Sequence, residues 1–197
     1  MNDKISVIFE KIKDLETELE EEVNRVSEKL TYTIEKKKIL FEKSVIDYHR
    51  KFRKNFYRFI REASIVHGLT APFIYGLAAP LVFIDLSVSI YQAVCFPVYG
   101  IKKVPRSDFI TLDRHNLAYL NWFEKFNCAY CGYANGLAGY LREVSARTEA
   151  YWCPIKHARR IKSYHSKYHT FEEYGDAEGF SNRMKRINEE RKSRRAV

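Results

Sequence analysis

The stretch that decides the fold is Leu69 to Ile101, LTAPFIYGLAAPLVFIDLSVSIYQAVCFPVYGI. Its 33 residues carry one charge, Asp85. A bilayer core of about 30 Å is crossed by about 20 apolar residues in a helix. The stretch therefore holds one span, and it is too short for two full spans and a loop. Gly76 and Pro80 interrupt its first half, and Pro97 and Gly100 close it. Basic residues flank both sides, and Lys and Arg favour the cytoplasmic face. A simple span would leave one basic flank on the wrong side. A re-entrant or monotopic hairpin turning near Ala79-Pro80 removes that conflict and is preferred to the single span. The competing reading is a buried apolar hairpin in a soluble helical protein, which no other segment is large enough to cover. Asp85 needs a partner at such a depth, because an ionised group there is costly and often functional.

Upstream, residues 3 to 66 contain neither Gly nor Pro. Apolar residues recur three or four apart: Ile5, Ile8, Ile12, Leu15, Leu19, Val23, Val26, Leu30 and Ile34, then Phe41, Val45, Tyr48, Phe52, Phe56 and Phe59. This is helical, coiled-coil-like periodicity with a stutter near Leu19 to Val23. Two readings stand equal. One is an unbroken helix of about 95 Å, at ~1.5 Å per residue. The other is a helix broken once near Thr31 to Thr33 and folded back. A stripe that long needs a helical partner or a second copy of the chain. Residues 1–22 are acidic and amphipathic, unlike a secretory signal. The domains are therefore expected in the cytoplasm, on the inner membrane.

The formal charge is +9. The cations cluster: Arg50, Lys51, Arg53, Lys54, Arg58 and Arg61; Lys102, Lys103 and Arg106; and Arg183, Lys185, Arg186, Arg191, Lys192, Arg194 and Arg195. Such clusters suit anionic lipid, an acidic protein or nucleic acid. Beside an apolar anchor, lipid is the simplest partner. Nucleic acid is disfavoured, because no recognised binding motif accompanies the basic aromatic run Arg160 to Phe171.

Downstream of the anchor, residues 102–112 read as a connector and Asp113 to Phe126 as a helix. Asn127 to Asn135 reads as a turn, Gly136 to Trp152 as a second helix, and Pro154 to about Tyr174 as a third. Gly175 ends that helix, and 175–197 reads as a mobile basic tail. The expected class is all-α. Its organisation is a coiled-coil-like helix in 1–66, a membrane segment in 67–101, a small helical domain in 102–174 and a tail.

Cys128-x-x-Cys131-Gly132 and Cys153-Pro154-x-x-His157 supply ligand types for a tetrahedral ion. Thiolate and imidazole favour zinc, with iron as the alternative. The expected site is Cys128, Cys131, Cys153 and His157, closed and structural. Cys95 reads as a small buried residue. The Cys128 turn resembles the knuckle of rubredoxins and zinc ribbons over about six residues.

An enzyme reading competes with this. Glu149, Asp113 and His115 are its weak catalytic candidates, acting with the metal on a lipid or quinone-like substrate. The blander assignments are a Glu143–Arg147 i,i+4 pair, a solvated Glu149 or one bound to Arg142 or Lys156, and Asp113 as a helix cap. His165 and His169, spaced i,i+4, read as solvated or interface histidines.

Asn127-Cys128-Ala129-Tyr130-Cys131-Gly132-Tyr133-Ala134-Asn135-Gly136, Arg147-Thr148-Glu149 and Tyr151-Trp152-Cys153-Pro154-Ile155-Lys156-His157-Ala158 together resemble an uncharacterised family of bacterial membrane-associated proteins. The apolar segment from Ala71-Pro72 to Cys95-Phe96-Pro97-Val98-Tyr99-Gly100 resembles the same family. The resemblance covers most of residues 70 to 160. It implies membrane attachment in a bacterium and brings no activity. The expected function is a membrane-anchored interaction or structural protein.

Overall fold

The computed structural model describes residues 3–29, 32–35, 38–41, 43–53, 61 and 65–195. They are mainly helical. The helices are α1 (Asp3–Lys29), α2 (Lys43–Arg50), α3 (Ile65–Gly76), α4 (Ala78–Tyr99), α5 (Trp122–Trp152) and α6 (Ala177–Arg195). A short antiparallel hairpin of β1 (Tyr32–Glu35) and β2 (Lys38–Phe41) pairs Tyr32 with Phe41 and Ile34 with Ile39. The chain divides into two compact units, Met1–Glu62 with Asp113–Phe126, and Ala63–Leu112 with Asn127–Val197.

In the first unit, the 64-residue unbroken helix is corrected. α1 stops at Lys29, and β-branched and aromatic residues then pair as strands. Leu30, Thr31, Lys54, Phe56, Arg58 and Phe59 lie outside the described residues. The α1 stripe is open in this chain: Val7, Ile8, Ile12, Leu15, Leu19 and Val23 are all exposed. Among the described residues, no helix pairs with this stripe in a coiled coil.

The helix expected from Asp113 begins later. Residues Arg114–Asn116 form only a 3-10 turn, and Asp113 makes no side-chain cap. Asn121 caps α5 instead. Its Oδ1 accepts the amides of Phe123 and Glu124 at 3.0 and 2.9 Å, and Glu124 Oε2 accepts the Asn121 amide at 2.9 Å. This reciprocal capping box, Asn-x-x-Glu, was present in the sequence as a start signal.

In the second unit, the apolar segment does not fold back. Leu77 joins α3 to α4 with helical angles, φ −68° and ψ −14°, and Ala79-Pro80 lies inside α4. The hairpin turn is thereby corrected, because proline is accepted in the first turn of a helix. Gly68–Tyr99 is one helical run long and apolar enough to cross a membrane. Gly100 ends it in the left-handed region at φ 68°, where glycine avoids a Cβ clash.

α5 runs parallel to this helix. Tyr75 meets Asn127, Asp85 meets Tyr133, Gln92 meets Tyr140 and Tyr99 meets Tyr151. Parallel neighbours need a long return connection. Its first part, residues 101–112, is an irregular strap over the inner side of the pair, interrupted by a 3-10 turn at Arg106–Asp108. The core lies between these three layers: Phe96, Val104, Leu137, Tyr140 and Val144 are buried, with Leu81, Val88, Tyr91, Phe109, Ile110 and Tyr133 packed on them.

Candidate functional site

The inner side of this unit is where the sequence's distinctive residues converge. Gly132, Gly136 and Gly139 stand at i, i+4 and i+7, on one face of α5. The strap lies on that face. A β-carbon on Gly136 would come 2.5 Å from the Phe109 carbonyl oxygen and 2.9 Å from Ile110 Cα. Real side chains do not fit there, so the glycine is required by the close approach of backbone. At Gly139 the added atom would meet the Phe109 ring at 3.1 Å, and at Gly132 the Thr111 oxygen at 3.5 Å. The sequence Cys131-Gly132 is therefore a helical seat for a crossing chain, and the expected knuckle turn at 127–135 is corrected.

Outside the 3-10 turn at Arg106–Asp108 the strap's peptide groups have no helix or sheet partners, and buried ones must be satisfied. Gln92 does this for Val104. Its Oε1 accepts the Val104 amide at 2.6 Å, and its Nε2 donates to the Val104 oxygen at 3.2 Å and to Tyr140 Oη at 3.0 Å. Arg147 Nη1 donates to the oxygens of Lys102 and Lys103 at 2.7 and 3.2 Å. Neither role was visible in sequence, since a glutamine inside an apolar run carries no spacing signal.

Asp85 is the buried charge, and it is paired. Arg106 of the strap grips it with Nε at 3.1 Å and Nη2 at 2.5 Å. Tyr133 Oη donates to it at 2.9 Å, and Ser89 Oγ lies at 3.4 Å. A bidentate guanidinium with further donors is the arrangement that offsets the desolvation of a carboxylate. The partner that Asp85 needs is supplied by one guanidinium and two hydroxyls.

The four expected metal ligands are not brought together. Cys128 and Cys131 lie on α5 three residues apart, whereas Cys153 and His157 follow its other end. The 22 helical steps from Cys131 to Cys153 span about 33 Å, at ~1.5 Å each, and zinc holds its sulfurs at about 2.3 Å. All four cysteines, Cys95 included, are free thiols. Among the described residues, no three His, Cys, Asp or Glu side chains are placed to share an ion. The Cys3His set read from spacing is not assembled among the described residues, because α5 continues unbroken between its two halves.

Past Trp152 the expected helix from Pro154 is also absent. The Pro154 oxygen accepts the Glu172 amide at 2.9 Å, the Lys156 amide donates to the Glu172 oxygen at 2.8 Å, and the His157 amide donates to Tyr168 Oη at 2.8 Å. Tertiary partners have taken the groups a helix would use. The tail is corrected too: 177–195 is α6. Arg191 on α6 donates to the Tyr151 oxygen at 2.8 Å and lies 3.6 Å from the Tyr151 ring centroid.

Of the catalytic candidates, Glu149 Oε2 sits 3.0 Å from His165 Nε2. This replaces the expected solvated state or link to Arg142 or Lys156. Asp113 and His115 belong to the first unit and Glu149 to the second, and no side-chain bond joins Asp113 to its own helical turn. The expected Glu143–Arg147 pair is formed at 2.9 Å, and Ser166 Oγ also donates to Glu143 at 2.7 Å. Burial alone would raise the Glu143 pKa. The Ser166 hydroxyl and Arg147 outweigh it and hold the carboxyl below its ordinary value.

No protein-family model, curated protein or solved structure matches this chain.

Proposed function

We propose that the protein is a membrane-anchored interaction protein, with the second unit as anchor and α1 as the partner-binding helix. The observation that carries this reading is the outer face of Gly68–Tyr99. Leu69, Phe73, Ile74, Leu77, Val82, Phe83, Leu86, Ile90, Val94 and Val98 are 49–80% exposed, and no exposed residue between them is charged. Full burial of one such side chain contributes about 1.5–3 kcal/mol. Half-burial of ten in lipid contributes on the order of 10 kcal/mol.

The inner side has the opposite character. The strap carries exposed Lys102, Lys103 and Asp108, and apart from the 3-10 turn at Arg106–Asp108 its backbone is irregular. Lipid-exposed irregular backbone is not found in a hydrocarbon core. A lone crossing surrounded by lipid on all sides would place both strap and Asp108 there. This favours attachment with one face in lipid and the strap face toward water or protein, as in a monotopic anchor. Anionic lipid suits the basic surface, and the same charge favours the cytoplasmic face of the inner membrane. The open α1 stripe supports a helical partner or a second copy.

Flotation of the full chain with phosphatidylcholine vesicles tests this reading. The expected result is co-flotation of the wild type and its loss in a Phe83→Glu/Ile90→Glu variant that keeps its helical content. A wild type that stays with the soluble fraction overturns it.

A further inference from the structure

Where the apolar helix ends, a cleft of about 390 Å³ opens, lined among others by Tyr99, Lys102, Arg147, Tyr151, Lys167 and Arg191. We propose that this cleft binds a phosphate group, presented in the membrane by an anionic lipid headgroup. The proposal rests on the membrane reading for the source of the phosphate, and on the cleft alone for the chemistry.

Four cations reach the cleft from four separate segments: Lys102 from the strap, Arg147 from α5, Lys167 from the loop after it and Arg191 from α6. One carboxylate, Glu190, lines it with them. The lining charge is +3, four cations against one anion, and the Glu143 carboxylate paired with Arg147 behind the lining reduces the local excess to +2. Like charges gathered in one cleft repel, and an anion held among them relieves the repulsion.

The two arginines are already oriented. Arg147 is held by the strap carbonyls and Glu143, and Arg191 by the Tyr151 oxygen and ring. Such fixed guanidinium groups present planar donors to phosphate oxygens. Arg191 Nε is shielded from solvent and has no hydrogen-bond partner, so a donor remains unused in a lining residue. The ammonium groups of Lys102 and Lys167 are in no ion pair among the described residues, and both side chains are exposed.

The position selects the source. Exposed Val98 belongs to the apolar face, and Gly100 ends the helix one residue after Tyr99. Tyr99 stacks on Tyr151 at 5.0 Å and meets Trp152 edge-on at 5.4 Å. Tyr and Trp gather at headgroup depth in membranes. The cleft thus lies where lipid phosphates lie once the apolar face is embedded.

The test uses the full chain on vesicles of phosphatidylcholine alone and with added phosphatidylglycerol. A parallel arm measures the shift in melting temperature caused by inorganic phosphate in detergent. The variants are Lys102→Gln/Lys167→Gln in the cleft and Lys185→Gln/Arg186→Gln on α6 outside it. Two surface cations are worth about 2 kcal/mol at an anionic membrane, roughly 30-fold in binding. The expected result is a phosphatidylglycerol preference that falls by at least about tenfold in the cleft variant. It falls by no more than about threefold in the α6 variant, and binding to phosphatidylcholine is unchanged.

Equal losses in the two variants mean diffuse electrostatics and overturn the site. A phosphate-induced shift that needs Lys102 and Lys167, without any phosphatidylglycerol preference, upholds the site with free phosphate as its source. Neither preference nor shift overturns it. Failure to bind phosphatidylcholine vesicles counts against the membrane reading alone, and the detergent arm still decides the cleft.

Discussion

A β-carbon at Gly136 would have to move the backbone of Phe109 and Ile110, whereas one at Gly132 would make only ordinary contact with Thr111 and Leu112. Alanine is favoured over glycine in a helix by about 1 kcal/mol. Overpacking against backbone costs about 1–3 kcal/mol. Gly132→Ala is therefore expected to be neutral or slightly stabilising, and Gly136→Ala to destabilise by up to about 2 kcal/mol net. Thermal unfolding of the two variants in detergent checks this order. A reversed order would mean that the strap does not rest on α5. These glycines were legible as a motif, yet their neighbours Cys128 and Cys131 drew the reading toward metal. The i, i+4, i+7 spacing of small residues was the signal for a close crossing. Asp85 was legible as a residue needing a partner, but Arg106 as that partner depended on a strap only tertiary structure reveals.

At the scale of elements, the apolar character of Leu69 to Ile101 and the helical period of α1 were readable because long periodic or uniformly apolar runs are strong signals. The preferred hairpin was not, since Gly76 and Pro80 fit a continuous helix. The ends of the elements were less legible. The hairpin at Tyr32 to Phe41 has neither Gly nor Pro to mark it. The tail lacks an apolar stripe, and Arg191 fastens it through a π face and a carbonyl. Pro154 suggested a helix start, but the bridge between Ile155 and Glu172 takes the local backbone groups.

The contact of α5 with the loop after it carries a pH signature. The Glu143 carboxyl titrates below its ordinary 4.5 in the folded chain. Its contribution is fully present above that ordinary value and is lost as pH falls through the lowered folded pKa. Glu143→Gln is expected to lower stability by on the order of 1 kcal/mol near neutrality. The difference from wild type should vanish once the carboxyl is protonated. Melting temperatures of both proteins across acid pH measure it. A gap that stays constant through that range would exclude the linkage.

On the scale of the whole molecule, charge and apolar surface are segregated. The second unit exposes a broad uncharged face on Gly68–Tyr99, and its strap side carries Lys102, Lys103, Arg106 and Asp108. The first unit presents an apolar α1 stripe of its own. Composition foretold a helix long and apolar enough to cross a membrane and a basic net charge, but not this one-sidedness, which arises when the strap covers one flank of the helix. The most direct measurement places a photo-crosslinking amino acid at Phe83 in one protein and at Asp108 in another, each reconstituted in vesicles with a reactive-chain lipid assay. Lipid adducts at position 83 and none at position 108 are the predicted result. Adducts at both positions, or at 108 alone, would contradict a one-sided anchor.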